Sequence, residues 1–211
     1  MYRPQQFIED RKDVLLDAIR DIKLAALVTP HADGIEVTHV PVVVQEDGSH
    51  VAFEMHVARG NPHWKKADGG LRSVAIFQGP HAYVSPSFYP SKTEHGKVVP
   101  TWAYIVVHAH GVLETIRDQG RLARHLEQLT HANEKHRSDP WQLTDAPQQY
   151  LESMKRGIVG MRFTVEHLEG AWKFNQHKKE PDWMGTAQGL DQSGESGTLL
   201  ARALRSSKTP A

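Results

Sequence analysis

Val99-Pro100-Thr101-Trp102-Ala103-Tyr104-Ile105-Val106-Val107-His108 is the stretch on which the fold turns. Its apolar, β-branched and aromatic residues read as a strand that runs on to Ile116. Alternation puts Thr101, Ala103, Ile105 and Val107 on a core face, and Trp102, Tyr104 and His108 on the other. Aromatic and hydrogen-bonding side chains on a second face suit a subunit interface or a flat heteroaromatic ligand. A strand buried on both sides would alternate in the same way.

Upstream, Gly79-Pro80 precedes a strand from His81 to Ser85, with His81, Tyr83 and Ser85 on one face and Ala82 and Val84 on the other. Ser73 to Gln78 is a separate strand before it. Nearer the start, Asp10 can cap a helix carrying Val14, Leu15, Ala18, Ile19 and Ile22 on one side. A strand from Lys23 to Thr29 follows, closed by Pro30 and a turn at Asp33-Gly34. Ile35 to Val44 is the next strand, and Asp47-Gly48 is a hairpin signal leading to another at His50 to Met55. Arg59 to Lys66 reads as a short helix, and Ser87 to Lys97 has the composition of a loop.

Downstream, Asp118 to His136 carries Leu122, His125, Leu126, Leu129 and Ala132 at helical spacing. A polar loop through Asp139-Pro140 leads to a helix at Gln149 to Arg156. Ile158 to Leu168 and Ala171 to Phe174 form a hairpin turned at Glu169-Gly170. A Gly/Ser-rich link, Ser193 to Gly197, precedes a C-terminal helix whose end, Arg205 to Ala211, is expected to fray. Short, closely spaced strands with helices in two groups describe an α+β, mainly β protein: a small antiparallel barrel with helical additions.

The length of 211 residues suits one large domain, or one with a helical annex. Lysine plus arginine and aspartate plus glutamate both number 25, so no massive basic surface for an acidic partner is expected. The absence of cysteine excludes disulfides, thiolate metal sites and cysteine nucleophiles. Trp102 to Val107, the longest apolar run, is far short of a bilayer span, and Glu9 and Asp10 stand where a signal peptide needs apolar residues. A soluble, cytoplasmic protein without membrane contact is the expectation. The dinucleotide, P-loop, Gly-x-Ser-x-Gly and His-Glu-x-x-His motifs are all absent.

Chemistry concentrates in His56-Val57-Ala58-Arg59-Gly60-Asn61-Pro62-His63-Trp64-Lys65-Lys66. Asn61 is a good N-cap and Pro62 is pre-organised for the first helical position. A helix start beside Arg59, with Lys65 or Lys66 near, is a natural phosphate site. The alternative is a capped surface helix with solvated basic residues. His56 and His63 lack a third ligand at metal spacing and are read as bonded to backbone or ligand. His108 and His110 could chelate from one strand face but are read as a solvent-facing pair at a strand end. Glu166 and Glu169 are read as a solvated edge, and no metal is expected.

These segments resemble the FMN-binding negative transcriptional regulator (PaiB) family. The resemblance is carried by Met1-Tyr2-Arg3-Pro4 with Phe7, by Thr38-His39-Val40-Pro41, by His56 to Trp64, and by Phe77 to Tyr89. Val99 to Tyr104, Ile158-Val159-Gly160, Leu168 to Lys173 and Gln176 complete it, over about the first 190 residues. Ala103 stands where the family usually has Asn, and Phe174 to His177 replace a Ser-Gln-Asn-like run.

The resemblance implies a split β-barrel of the pyridoxamine-phosphate-oxidase type (an antiparallel Greek-key barrel) with flanking helices, dimeric, holding FMN between subunits. On that analogy, residues 1–190 form the FMN-binding domain, with a helical insertion at about 118–157, and residues 191–211 form a C-terminal helix and tail. Arg59 and Asn61 would meet the flavin phosphate, and Thr38, His39 and Pro41 would border the ring. His56, Ala58, His63, Trp64, Tyr83, Ser85, Trp102, Tyr104, Lys173 and Gln176 complete the implied cofactor set. The family implies negative regulation of transcription, although zero net charge and the lack of a reading helix argue against direct DNA binding. The alternative is a flavin-dependent oxidoreductase or flavin reductase, with no evident catalytic base.

Overall fold

Residues 1–67 and 69–208 are described in a computed structural model. Along the chain run β1 (Ile8–Glu9), α1 (Lys12–Ile22), β2 (Leu24–His31), β3 (Gly34–Pro41), β4 (Val43–Asp47) and β5 (His50–Ala58). Then come α2 (His63–Lys66), β6 (Leu71–Val84), α3 (Ser91–His95), β7 (Thr101–Ile116), α4 (Gln119–Glu134) and α5 (Gln148–Arg156). The chain ends with β8 (Ile158–Lys173), α6 (Glu180–Asp191) and α7 (Gly194–Lys208). The hydrogen-bonded strand order is β3-β2-β6-β7-β8-β5-β4, with β1 pairing β8, and β1–β8, β2–β3, β2–β6, β4–β5 and β5–β8 are antiparallel.

Two compact units arise. One holds Met1–Leu15, Gln78–Val107 and the chain from Glu169 onward; the other holds Leu16–Phe77 and His108–Leu168. In the second, Phe53 and Phe163 are register partners on β5 and β8 and stack at 5.8 Å, with Phe77 edge-on to Phe53 at 5.5 Å. All three are fully buried, each stabilising the unit by about 1.5–3 kcal/mol. Asp118 caps α4 through Arg121 N, and Leu122 and His125 form the buried side of that helix. Glu54, buried on β5, is held by Arg121 at 2.6 Å and by its register partner Arg162 at 3.5 Å. In the first unit Val84, Tyr89, Ala103, Phe174, Leu190 and Leu204 share a core with Trp172 and Trp183.

Several sequence expectations need correction. The strand expected over Ile35–Val44 breaks at Val42, whose N–H donates to Lys23 O at 2.9 Å. Pro30 does not end β2, which runs to His31. Nor does Gly79-Pro80 interrupt β6, which runs on to Val84; β2 pairs with it only at Val74–Ile76, and at His81 the backbone N–H and carbonyl bond to Ser196 Oγ.

The hairpin expected at Glu169-Gly170 is uninterrupted strand. Gly170 pairs with Glu9 of β1, and a Cβ there would lie 2.4 Å from both Leu15 and Trp172, so this glycine serves close approach, not a turn. Glu169 is buried, not a solvated edge, and accepts from the Met1 ammonium at 2.7 Å.

The expected loop Ser87–Lys97 contains α3, whose Ser91 N–H and hydroxyl both donate to Asp182 and which Gly96 ends at φ 65°. The Gly/Ser-rich link lies largely within α7. Arg205 to Lys208 are helical, and the rest of the segment expected to fray, residues 209–211, lies outside the described residues.

Candidate functional site

β3, β5 and β2 bring together a network that only partly follows sequence order. β5 ends at Ala58, Asn61 N–H donates back to Ala58 O, and the Asn61 side-chain carbonyl accepts from His63 N–H at 2.9 Å. Asn61 thus caps the turn as expected, with Pro62 in helical dihedrals. The helix is a single turn, His63–Lys66, and does not extend back to Arg59. One turn sums few peptide dipoles, so positive charge at this corner comes from side chains.

His63 is fully buried and bonded at both ring nitrogens: Nδ1 to Thr38 Oγ1 at 2.9 Å and Nε2 to Thr29 Oγ1 at 2.7 Å. Thr29 Oγ1 lies 2.7 Å from Ser73 Oγ, whose hydroxyl donates to Leu71 O, while Asn61 Nδ2 donates to Thr38 Oγ1 at 3.2 Å. One proton assignment satisfies every member. Ser73 donates to Leu71, so Thr29 donates to Ser73, His63 Nε2–H donates to Thr29, and Thr38 donates to Nδ1. The imidazole is neutral, and its pKa is lowered by burial, opposed by Glu36 and lowered further by the neighbouring His31 and Lys66.

The remaining residues of this corner are placed as follows. Arg59 is exposed; its Nε and Nη2 donate to the carbonyls of Arg156 and Ile158, which close α5 and open β8. Trp64 Nε1 donates to Arg59 O at 2.9 Å, and Lys65 lies 5.7 Å from the Trp64 ring centre. Lys66, expected on the ligand side, instead pairs with Glu36 at 3.2 Å and Asp33 at 3.6 Å. His39 and Pro41 are exposed on β3, and Ala58 is exposed at the end of β5.

His56 is drawn away from the corner. Its Nδ1 lies 3.0 Å from Nε2 of the fully buried His125 on α4, a pairing the sequence did not announce. Among the described residues, His125 Nδ1 has no partner. An orphaned acceptor costs less than an orphaned donor, so His125 carries its proton on Nε2 and donates to His56. Burial lowers both pKa values, that of His125 to about 4.

In the other unit, alternation on β6 and β7 holds in part, since Thr101 and Ile105, read on the core face, are only half-buried. Ala82, Val84, Ala103 and Val107 are buried, while Trp102 and Tyr83 remain 53% and 49% exposed. Trp102 lies 6.1 Å from the His81 ring and 6.3 Å from the Tyr83 ring, forming an aromatic surface open to solvent. Lys173 Nζ donates to Thr101 Oγ1 at 2.9 Å and sits 5.6 Å from the Tyr104 ring centre. Ser85 and Gln176 are spent locally. Ser85 Oγ caps the 3-10 turn at Ser87 N, and the Gln176 amide bridges Phe174 N and Trp172 O. Sequence reading missed Thr29 and Ser73, because isolated hydroxyl residues in strands carry no spacing signal.

Comparison with known proteins bears on this arrangement. Residues 1–167 match a family described as "Putative FMN-binding domain". The chain is 30% identical over 190 residues to "Protease synthase and sporulation protein PAI 2" of Bacillus subtilis, covering 90% of this chain and 89% of that one. Among solved structures it resembles the flavocytochrome Anf3 of Azotobacter vinelandii (TM-score 0.55, 12% identity, 87% and 78% of the two chains). It also resembles the FAD and heme binding protein of Mycobacterium smegmatis (TM-score 0.54, 10% identity, 84% and 78%). At such identities the likeness is one of fold: a split β-barrel, mainly antiparallel, with flanking helices. No helix among the described residues is long and apolar enough to cross a membrane.

Proposed function

The chain belongs to the FMN-binding negative transcriptional regulator (PaiB) family, its cofactor is FMN, and from that premise we propose a homodimer that holds FMN and represses transcription through a partner protein. The observation that carries this reading is the Trp102, Tyr83 and His81 surface. So much aromatic area on adjacent strands costs free energy in water unless a flat ligand or a second subunit covers it.

The residues present suit FMN. Arg59 spends Nε and Nη2 on carbonyls, leaving Nη1, with Lys65 and the Asn61 turn, for a phosphate ester. Thr38, His39 and Pro41 border the same corner and would face the ring, with Thr38 oriented by His63. Trp102 and Tyr104 would offer ring faces, and Lys173 a cation near them. When bound, the flavin supplies redox chemistry, and the protein's part is binding, orientation and exclusion of water. Ser85 and Gln176 act on this reading as supports of the backbone.

Regulation through a partner is favoured over direct DNA contact by the fate of the basic residues. Arg121 serves Glu54, Lys155 pairs with Glu152, and Lys178 lies over Tyr89. Size-exclusion chromatography with light scattering, run beside a gel shift, tests the reading. A flavin-bearing particle of twice the chain mass is expected, with duplex DNA bound no better than about 10⁻⁵ M at physiological salt. A monomer, or a sequence-selective shift at nanomolar protein, would refute it.

A further inference from the structure

We propose that Arg121, Arg124 and Arg162 form a binding site for a small phosphate-bearing anion, separate from the flavin corner. With Gln45, Gln128 and Thr164 they line a cavity of about 520 Å³ whose walls, from β4, β5, α4 and β8, all belong to one compact unit. Arg162 is the register partner of Glu54, four residues back along β5 from Ala58, so the cavity stands about 13 Å from the Arg59 corner. The histidines of β7 take no part: His108 and His110 are half-buried in mid-strand, not at a strand end as expected, and each is already engaged.

The site is built round a buried carboxylate. Glu54 Oε1 accepts from Arg121 Nε at 2.6 Å and from Arg162 Nη1 at 3.5 Å, which holds two guanidinium groups close together. One carboxylate balances only one of these cations, and each guanidinium keeps donors that Glu54 does not use. Arg124 follows Arg121 by three residues on the same face of α4, and among the described residues it has no ion pair or hydrogen bond. Gln45 Nε2 donates to Gln128 Oε1 at 2.5 Å, tying β4 to α4 at the wall and leaving the Gln128 amide nitrogen as a further donor. The lining acids do not cancel the charge. Glu46 pairs with Arg20, which lies outside the cavity, so Asp47 is left to oppose the arginines beyond Glu54, and His50 can only add to the positive side. Guanidinium forks match the oxygens of a phosphate group, and a recess of this size admits a small molecule, whereas a duplex needs a row of cations on an open face. An occupant would bridge α4 to β5 and β8 and so stabilise the unit.

The site is tested by titrating the chain, carrying one equivalent of FMN, with inorganic phosphate at pH 7.5, chloride holding the ionic strength constant. Calorimetry and thermal unfolding are the readouts. One phosphate per chain is expected, with a dissociation constant of about 5 mM or tighter and a rising melting point. Arg124→Ala, at an exposed position with no partner to orphan, should weaken binding by about tenfold or more, the usual worth of a hydrogen bond to a charged group. Asp47→Asn should tighten it by about two- to fivefold, a gain that a merely structural residue would not give. Arg59→Ala should leave it unchanged, which keeps the test apart from the flavin reading. No saturation by about 10 mM phosphate, or binding that Arg124→Ala leaves intact, would overturn the proposal. Loss of the signal on Arg59→Ala would do the same, by placing the phosphate at the flavin corner. Circular dichroism of each variant separates lost binding from lost fold.

Discussion

His63 Nε2 stands 2.7 Å from Thr29 Oγ1 in the interior of one unit, and this bond fixes which ring nitrogen carries the proton. The Asn61–His63 turn is thereby tied to β2 and β3 at once.

Thr29→Val should leave the His63 Nε2–H buried without an acceptor and cost about 1–3 kcal/mol. Thr29→Ser, which keeps the hydroxyl, should recover most of that. Urea denaturation measures both. Losses below about 0.5 kcal/mol for the valine variant would mean the bond is not made as assigned.

Acid should loosen α4. The pKa of His125 is lowered by burial and by His56 from its ordinary 6.5 to about 4, so between those values the folded chain binds fewer protons than the unfolded one. Stability is then complete above about pH 6.5 and falls as the pH drops toward about 4. His56 and His63 shift in the same direction. Denaturation series from pH 7.5 to 5 should show this slope, and His125→Leu should flatten it. A wild-type curve that stays level to pH 5 would contradict it.

Gly111 marks a close approach of β7 to β8. A Cβ there would sit 2.0 Å from Thr164 O and 2.9 Å from the Phe163 ring, one a backbone atom and the other a core side chain. Gly111→Ala is expected to cost about 3 kcal/mol. Gly60→Ala, where a Cβ meets nothing within 4 Å, should cost no more than about 0.5 kcal/mol. Thermal unfolding distinguishes the two, and similar melting points would defeat the argument.

Periodicity and other closely packed glycines explain what could be read from the sequence. β7 and α4 were legible because Ala103, Val107, Leu122 and His125 keep strict strand and helix periods. α6 was not. Gly185 and Gly189 lie one helical turn apart beneath Phe88, where a Cβ would come within 2.0 Å of its carbonyl and 2.3 Å of its ring, so the packing face is made of glycine and shows no apolar stripe. Glu169-Gly170 looks like a turn for a related reason: a glycine required by close approach is spelled the same way as one required by a bend. At the candidate site, Asn61 and Trp102 announced themselves through capping and alternation, whereas His63 entered the cofactor set only through the family resemblance. The His56–His125 pairing depends on how α4 packs, which no local pattern encodes.

Titration of the purified chain with FMN, followed by flavin fluorescence and by co-elution on gel filtration, is the sharpest test of flavin binding. Saturable quenching with FMN is expected, along with weaker binding of riboflavin, which lacks the phosphate, and a marked loss of affinity for FMN on Trp102→Ala. A correctly folded chain that neither quenches nor retains FMN, or that binds riboflavin equally well, would contradict the account.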